Sequence, residues 1–262
     1  MIGPGHQKRL SLRAEAEGMR RKVLMMLALM GSAGAQTGWQ ETSYANVGGW
    51  VPVSAWCDTP GRVLAVTAPG GSGTAVKLAQ WVGGQLTIQN WQLGRPDPGA
   101  GQVYTPLTPV GQTPGPSPRF FIHSSNIENT ADPRYRMTHI NEYVVPAGRF
   151  RCRYVPQATV LAATAKHTAI VWETGRTVTY ASRNRDGTPG IQLTGGTHTG
   201  AAGRERYVWN NAGYRYVLEV GNSAQPGGSL SVLRSGRVLS REELLAYSIS
   251  VPGKDASGTA QK

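Results

Sequence analysis

Turns dominate this chain. Glycine and proline, 34 and 17 residues respectively, break the sequence so often that helical periodicity is nearly absent. Apolar residues gather instead in runs of strand length bounded by turn residues. Trp50-Val-Pro-Val-Ser-Ala-Trp56, residues 62–67 and residues 75–82 read as strands. Gly83 and Gly84 then turn the chain into residues 86–91, a two-glycine hairpin signal of the primed type. From Gly94 to Pro118 seven prolines deny ladder hydrogen bonds, which predicts a long loop or linker. Strands resume at residues 119–123, 137–145 and 149–155, and continue near 159–165, 168–173, 177–181 and 191–194.

Farther on, Asn210-Asn-Ala-Gly213 separates Tyr207-Val-Trp209 from residues 214–220, and Ser235-Gly236 separates residues 229–234 from 237–239. One helix is expected, from Ser240 to about Tyr247, because Ser240 and Glu243 stand at capping-box spacing. The predicted class is all-β: an antiparallel sandwich or barrel, either one large unit or two similar β domains, with one short C-terminal helix. A likeness between Trp56-Cys-Asp-Thr-Pro-Gly-Arg-Val63 and Trp172-Glu-Thr-Gly-Arg-Thr-Val178 fits a duplication dividing near Pro156. The expected organisation is an extension and signal over 1–35, a β domain over 36–156 containing the 94–118 loop, a β domain over 157–251, and a polar tail over 252–262.

The export signal starts at Met19. Arg20, Arg21 and Lys22 form a positive region, residues 23–30 an apolar core, and Gly31-Ser-Ala-Gly-Ala35 a small-residue cleavage site. The apolar core is too short to span a bilayer, so no transmembrane span is expected in the mature protein, which is placed in the periplasm or at the cell surface. Removing residues 1–35 takes away six basic and two acidic side chains and lowers the formal charge from +12 to +8. The remaining positive charge is mostly arginine, whose planar fork suits carboxylates, phosphates and sulfates. For an exported protein this directs the search toward an anionic envelope polymer or surface-layer protein, with no specific nucleic acid expected. Cys57 and Cys152, the two cysteines, are expected to form one disulfide in an oxidising compartment.

Strand alternation places Arg149, Arg151 and Arg153 on one face at about 7 Å intervals, an anion-binding ridge to which Arg134 and Arg136 are near neighbours; the same pattern also serves as a solvated outer face. Ser182, Asn184 and Asp186 alternate ahead of Gly187 as calcium ligands do, although Leu193 replaces the closing acid and consecutive turns account for the same residues. His123, His139, His167 and His198 fall in no metal-ligand spacing. No G-x-S-x-G elbow is present, and Glu128, Asp132, Glu142 and Glu173 would make a glycosidase pair only if the fold joined two of them.

Two resemblances extend this reading. Trp172-Glu-Thr-Gly-Arg-Thr-Val-Thr-Tyr180, with residues 185–190, 207–209 and 213–214, resembles secreted envelope proteins of Deinococcus-type bacteria over the last third of the mature chain. That likeness implies a cell envelope with a surface layer. The set of four imidazoles, one disulfide, a β-rich body and many arginines is similar to copper-only superoxide dismutases. It implies copper held by His123, His139, His167 and His198, although the paired-histidine strand motif and the glycine-rich Arg/Cys segment of that family are missing. The leading expectation is a non-enzymatic envelope accessory or binding protein without cofactor. The alternatives are a copper-dependent dismutase and an inhibitor of wall-degrading hydrolases.

Overall fold

The computed structural model describes residues 38–252 except 114 and 116. The expected signal segment and almost all of the polar tail therefore lie outside the described residues. Nineteen strands follow one another. The first ten are β1 (Trp39–Asn46), β2 (Trp50–Asp58), β3 (Arg62–Thr67), β4 (Ala75–Val82), β5 (Gln85–Leu93), β6 (Asp97–Pro98), β7 (Gln102–Pro109), β8 (Phe120–Ser125), β9 (Ile140–Val145) and β10 (Gly148–Arg151). Then come β11 (Val160–Ala163), β12 (His167–Thr174), β13 (Thr177–Asn184), β14 (Gln192–Ala201), β15 (Arg204–Asn211), β16 (Tyr214–Gly221), β17 (Gly228–Arg234), β18 (Arg237–Glu243) and β19 (Ala246–Pro252).

All pairings are antiparallel and make one large sheet that is not closed into a barrel. Its spatial order is β10-β9-β8-β7-β5-β4-β3-β2-β1-β19-β11-β12-β13-β14-β15-β16-β17-β18, with β6 also against β7. Two sequential meanders thus flank a central pair, and the last strand, β19, sits between β1 and β11. Pro156 lies between β10 and β11, and the described residues belong to one compact unit. The two similar Trp-containing segments are both hairpins, β2 to β3 and β12 to β13.

The expected hairpins form for the expected reason. Gly83 and Gly84 both take positive φ, 56° and 83°, and bring Val82 opposite Gln85. Strand faces then divide the apolar residues. One cluster under the second meander gathers Tyr180, Leu193, Tyr207, Trp209, Leu218, Tyr247 and Ile249. Another, inside the first meander, gathers Leu64, Val66, Leu78, Trp91, Leu107, Ile122 and Tyr143. Tyr207 and Tyr216 belong to or pack on the second-meander core, as alternation along their strands predicts.

The C-terminal helix is not formed. Ser240 and Arg241 pair with Val232 and Ser231 in the sheet, and Glu243 is engaged by the Arg241 guanidinium at 3.1 Å rather than closing a capping box. The following residues Ala246 to Ser250 are buried throughout because β19 is covered on both faces. Such a strand loses the polar alternation that identifies half-exposed strands, and the capping signal at Ser240 and Glu243 is overridden by the pairing of β18 with β17. The segment 94–118, expected as a loop, also contains β6 and β7. Pro106 is tolerated in β7 because its carbonyl still accepts the Gly94 N–H, at 2.8 Å.

The first meander curls until its end meets its beginning. Cys57 in β2 is disulfide-bonded to Cys152, just past β10. Beside that bond the Arg153 N–H donates to the Asp58 carbonyl at 2.8 Å. Asp58 itself is buried, with a side chain only 1% exposed. Its Oδ2 accepts from Arg153 Nε and from the Thr168 hydroxyl, each at 2.8 Å, while Arg185 Nη2 lies 2.9 Å from Oδ1. Arg185 further donates to the carbonyls of Thr164 and Thr59. One carboxylate of β2 therefore clasps the end of the first meander to β12 and to the turn after β13.

Candidate anion-binding groove

Strands β7 to β10 carry a cross-strand row on one face: Tyr104 is opposite His123, His123 opposite Glu142, and Glu142 opposite Arg151. The neighbouring row runs Pro106, Phe121, Val144 and Arg149. Tyr104 stacks on His123 with centroids 4.5 Å apart and meets Phe121 edge-on. Arg149 Nη1 donates to both Glu142 oxygens, at 2.9 and 3.1 Å, yet its side chain remains 65% exposed. Glu142 is largely buried, but the exposed side of the Arg149 guanidinium stays open to a further anion.

Beside these rows lies a groove of about 1060 Å³, walled by the proline-rich segment and by the start of β8 and β10. Arg95, Arg119 and Arg149 line it, with Asp97 as the one acid among its lining residues. Arg95 and Arg119 are exposed and lie within ion-pair distance of no carboxylate among the described residues. The Arg119 guanidinium stands 5.2 Å from the Phe120 ring. Tyr104, Phe120 and several prolines supply apolar surface between the charges. A shallower pocket of about 340 Å³ shares Arg149 and adds Arg151, His123 and His139.

The five arginines of the expected ridge separate. Arg149 and Arg151 stay on the exposed face, but β10 ends at Arg151 and Arg153 turns inward to Asp58. Arg134 is exposed and bound to Asp132, which depresses the carboxyl of Asp132 through hydrogen bonds from the Arg134 guanidinium and N–H. Arg136 lies over the Trp39 ring at 3.9 Å and donates to the Thr159 hydroxyl and the Glu173 carbonyl. The sequence reading missed Arg95 and Arg119. Their signal was position: they bracket the proline-rich segment that walls the groove.

Histidine geometry is equally divided. His123 is 3.5 Å from Glu142, and His139 meets Glu128 and stacks on Tyr154 at 3.7 Å. His167 pairs with Glu242 at 2.9 Å, and His198 is held between Glu173 and Glu205, at 2.7 Å each. His123 and His139 share a pocket. Among the described residues, no group of three His, Cys, Asp or Glu side chains is arranged to hold a metal ion. In the Ser182–Gly190 segment, Asp186 accepts from Thr188, Asn184 donates to Thr188 and Pro189, and Arg185 points to Asp58, the bonding of a fastened turn. No helix among the described residues is long and apolar enough to cross a membrane. No protein-family model matches the chain, and no curated protein matches it in sequence.

Proposed function

We propose that this chain is an exported, non-enzymatic binding protein whose partner is an anionic polymer or surface-layer component of the cell envelope. The observation that carries this reading is the groove lined by Arg95, Arg119 and Arg149, with Asp97 as the one acid in its lining. Arginine forks lining one cleft engage carboxylates or phosphates, and the rings of Tyr104 and Phe120 in the same lining offer apolar contact to a polymer backbone. The net positive charge of the mature chain draws such a polymer in.

Affinity for polygalacturonate, a simple polycarboxylate, measured at 50 and 300 mM NaCl tests the reading. Binding should weaken steeply at the higher salt, as the Debye length shortens. Replacing Arg95, Arg119 and Arg149 together by Ala removes three exposed contacts of about 0.5–1 kcal/mol each, so affinity at 50 mM should fall roughly 10- to 100-fold. The same charge is removed elsewhere by Arg176→Ala, Arg204→Ala and Arg237→Ala. Equal losses in the two triple variants would reduce the effect to net charge and defeat the assignment to the groove.

A further inference from the structure

A second cavity, of about 360 Å³, lies between β1, β2, β7, β8 and the segment that follows β10. Its chemistry differs from that of the groove. Of its three charged lining residues, Asp58 and Arg153 are paired at 2.7 Å, and the third is Glu41. Glu41 is set by donors from the wall. The Thr138 N–H donates to Oε2 at 2.9 Å, and the Ser43 hydroxyl donates to Oε1 at 3.3 Å. Ser43 is in turn 2.6 Å from Ser248, whose oxygen accepts the Trp56 indole N–H at 2.8 Å. Trp56, Ser248 and Ser43 thus form a hydrogen-bonded group beside the Glu41 carboxyl, which accepts from Ser43 and Thr138.

The rest of the lining is rich in hydroxyls. Those of Thr105, Ser124, Thr130 and Tyr154 have no hydrogen-bond partner among the described residues. Ser54, exposed on β2, makes only a long 3.4 Å bond to the Thr67 carbonyl. Trp56 and Ile122 add apolar wall. Hydroxyl groups at a partly enclosed site find partners in water or in a ligand carrying both donors and acceptors. The volume lies at the small end of ligand pockets, room for one ring rather than a chain.

We propose that this cavity binds a small, neutral, hydroxyl-rich molecule, one monosaccharide ring in size. An anion is disfavoured because the one cation in the lining, Arg153, is already paired with Asp58. A cation is disfavoured because burial lifts the Glu41 carboxyl toward its neutral form. Neutral, that carboxyl both donates and accepts, as a sugar hydroxyl does.

The test uses the mature protein at pH 5 in 300 mM NaCl, which weakens the groove, with glucose, galactose, N-acetylglucosamine and glucosamine as probes. Saturation-transfer NMR detects contact and calorimetry gives affinity. At least one of the three neutral sugars should bind. Ser54→Trp, placed at an exposed lining position, should reduce that affinity tenfold or more, while Glu41→Gln, which removes the charge and keeps a donor and an acceptor, separates a neutral from a cationic ligand. Circular dichroism and the urea midpoint of each variant establish that the fold is intact. Binding of glucosamine alone, lost in Glu41→Gln, would overturn the neutral class. Binding of none of the four, or sugar binding indifferent to Ser54→Trp, would overturn the site.

Discussion

Replacing Asp58 by Asn tests the clasp between the two meanders most directly. The variant keeps the size of the side chain and one acceptor oxygen but removes the charge that two arginines share. Those arginines are themselves poorly exposed, Arg153 at 19% and Arg185 at 11%. Burial already lowers the proton affinity of Arg185, opposed chiefly by Asp58, yet a guanidinium stays charged. Asp58→Asn therefore leaves two positive charges, one beside the other, without their counterion. Removing one partner of a buried pair costs about 3–5 kcal/mol. Arg153 retains the Thr168 hydroxyl as acceptor and Arg185 the carbonyls of Thr164 and Thr59, which places the expected loss at the low end, about 3 kcal/mol. Equilibrium unfolding in urea measures it. With a slope of about 2–3 kcal/mol/M, the midpoint should move down by roughly 1–1.5 M. Thr168→Val, which deletes a hydroxyl that donates to the same oxygen and accepts from Arg153, should cost about 1.5–3 kcal/mol without removing the charge. An Asp58→Asn loss below about 1 kcal/mol would show that the charge is not what holds this junction, and the reasoning would fail.

Two further outcomes follow from the same interior. Burial raises the Glu41 carboxyl above its ordinary 4.5, against the opposing hydrogen bonds from Thr138, Ser248 and Ser43. A raised folded-state pKa gives stability that is complete below about 4.5 and is lost as pH climbs through the folded value. The stability of Glu41→Gln relative to the parent should accordingly rise between pH 4.5 and 7 in urea titrations at successive pH; a constant or falling difference refutes the shift. Replacing Cys57 and Cys152 together by Ser opens a loop of 95 residues and should lower stability by about 4.7 kcal/mol in the chain-entropy account. Thermal and urea unfolding of that variant below 1 kcal/mol from the parent would mean that the neighbouring backbone bond and the Asp58 clasp close the meander alone.

The strand architecture was legible because its signals are local. Gly83-Gly84, Ala212-Gly213 and Ser235-Gly236 provide the positive-φ residues of their hairpins wherever the fold puts them. Tyr207, Trp209, Leu218 and Val220 show their buried face by alternation. What stayed hidden depends on distant partners. Residues 240–247 looked helical because Ser240 and Glu243 imitate a capping box, whereas pairing with β17 makes their first half part of β18, and the start of β19, buried throughout, shows no alternation. The order of the central strands was equally unreadable, since pairing residues 39–45 with 246–252 spans nearly the whole described chain.

The arginine ridge shows where local reasoning stops within a single site. Alternation assigned Arg149, Arg151 and Arg153 to one face, and it holds only while the chain remains a strand. The Cys152 N–H still reaches the Asn141 carbonyl of β9, and the Arg153 N–H then bonds the Asp58 carbonyl of β2 instead, beside the disulfide. Two arginines then stay on the exposed face, where the groove gains Arg95 and Arg119 from either side of the proline-rich segment. The third is spent as a structural counterion. The same departure opens the Glu41 cavity on the opposite side of the strands, since Cys152, Arg153 and Tyr154 line it. Disulfide, clasp and cavity therefore share three consecutive residues. Loss of sugar binding in the Cys57→Ser, Cys152→Ser variant, with polygalacturonate binding preserved, would separate the interior site from the outer groove.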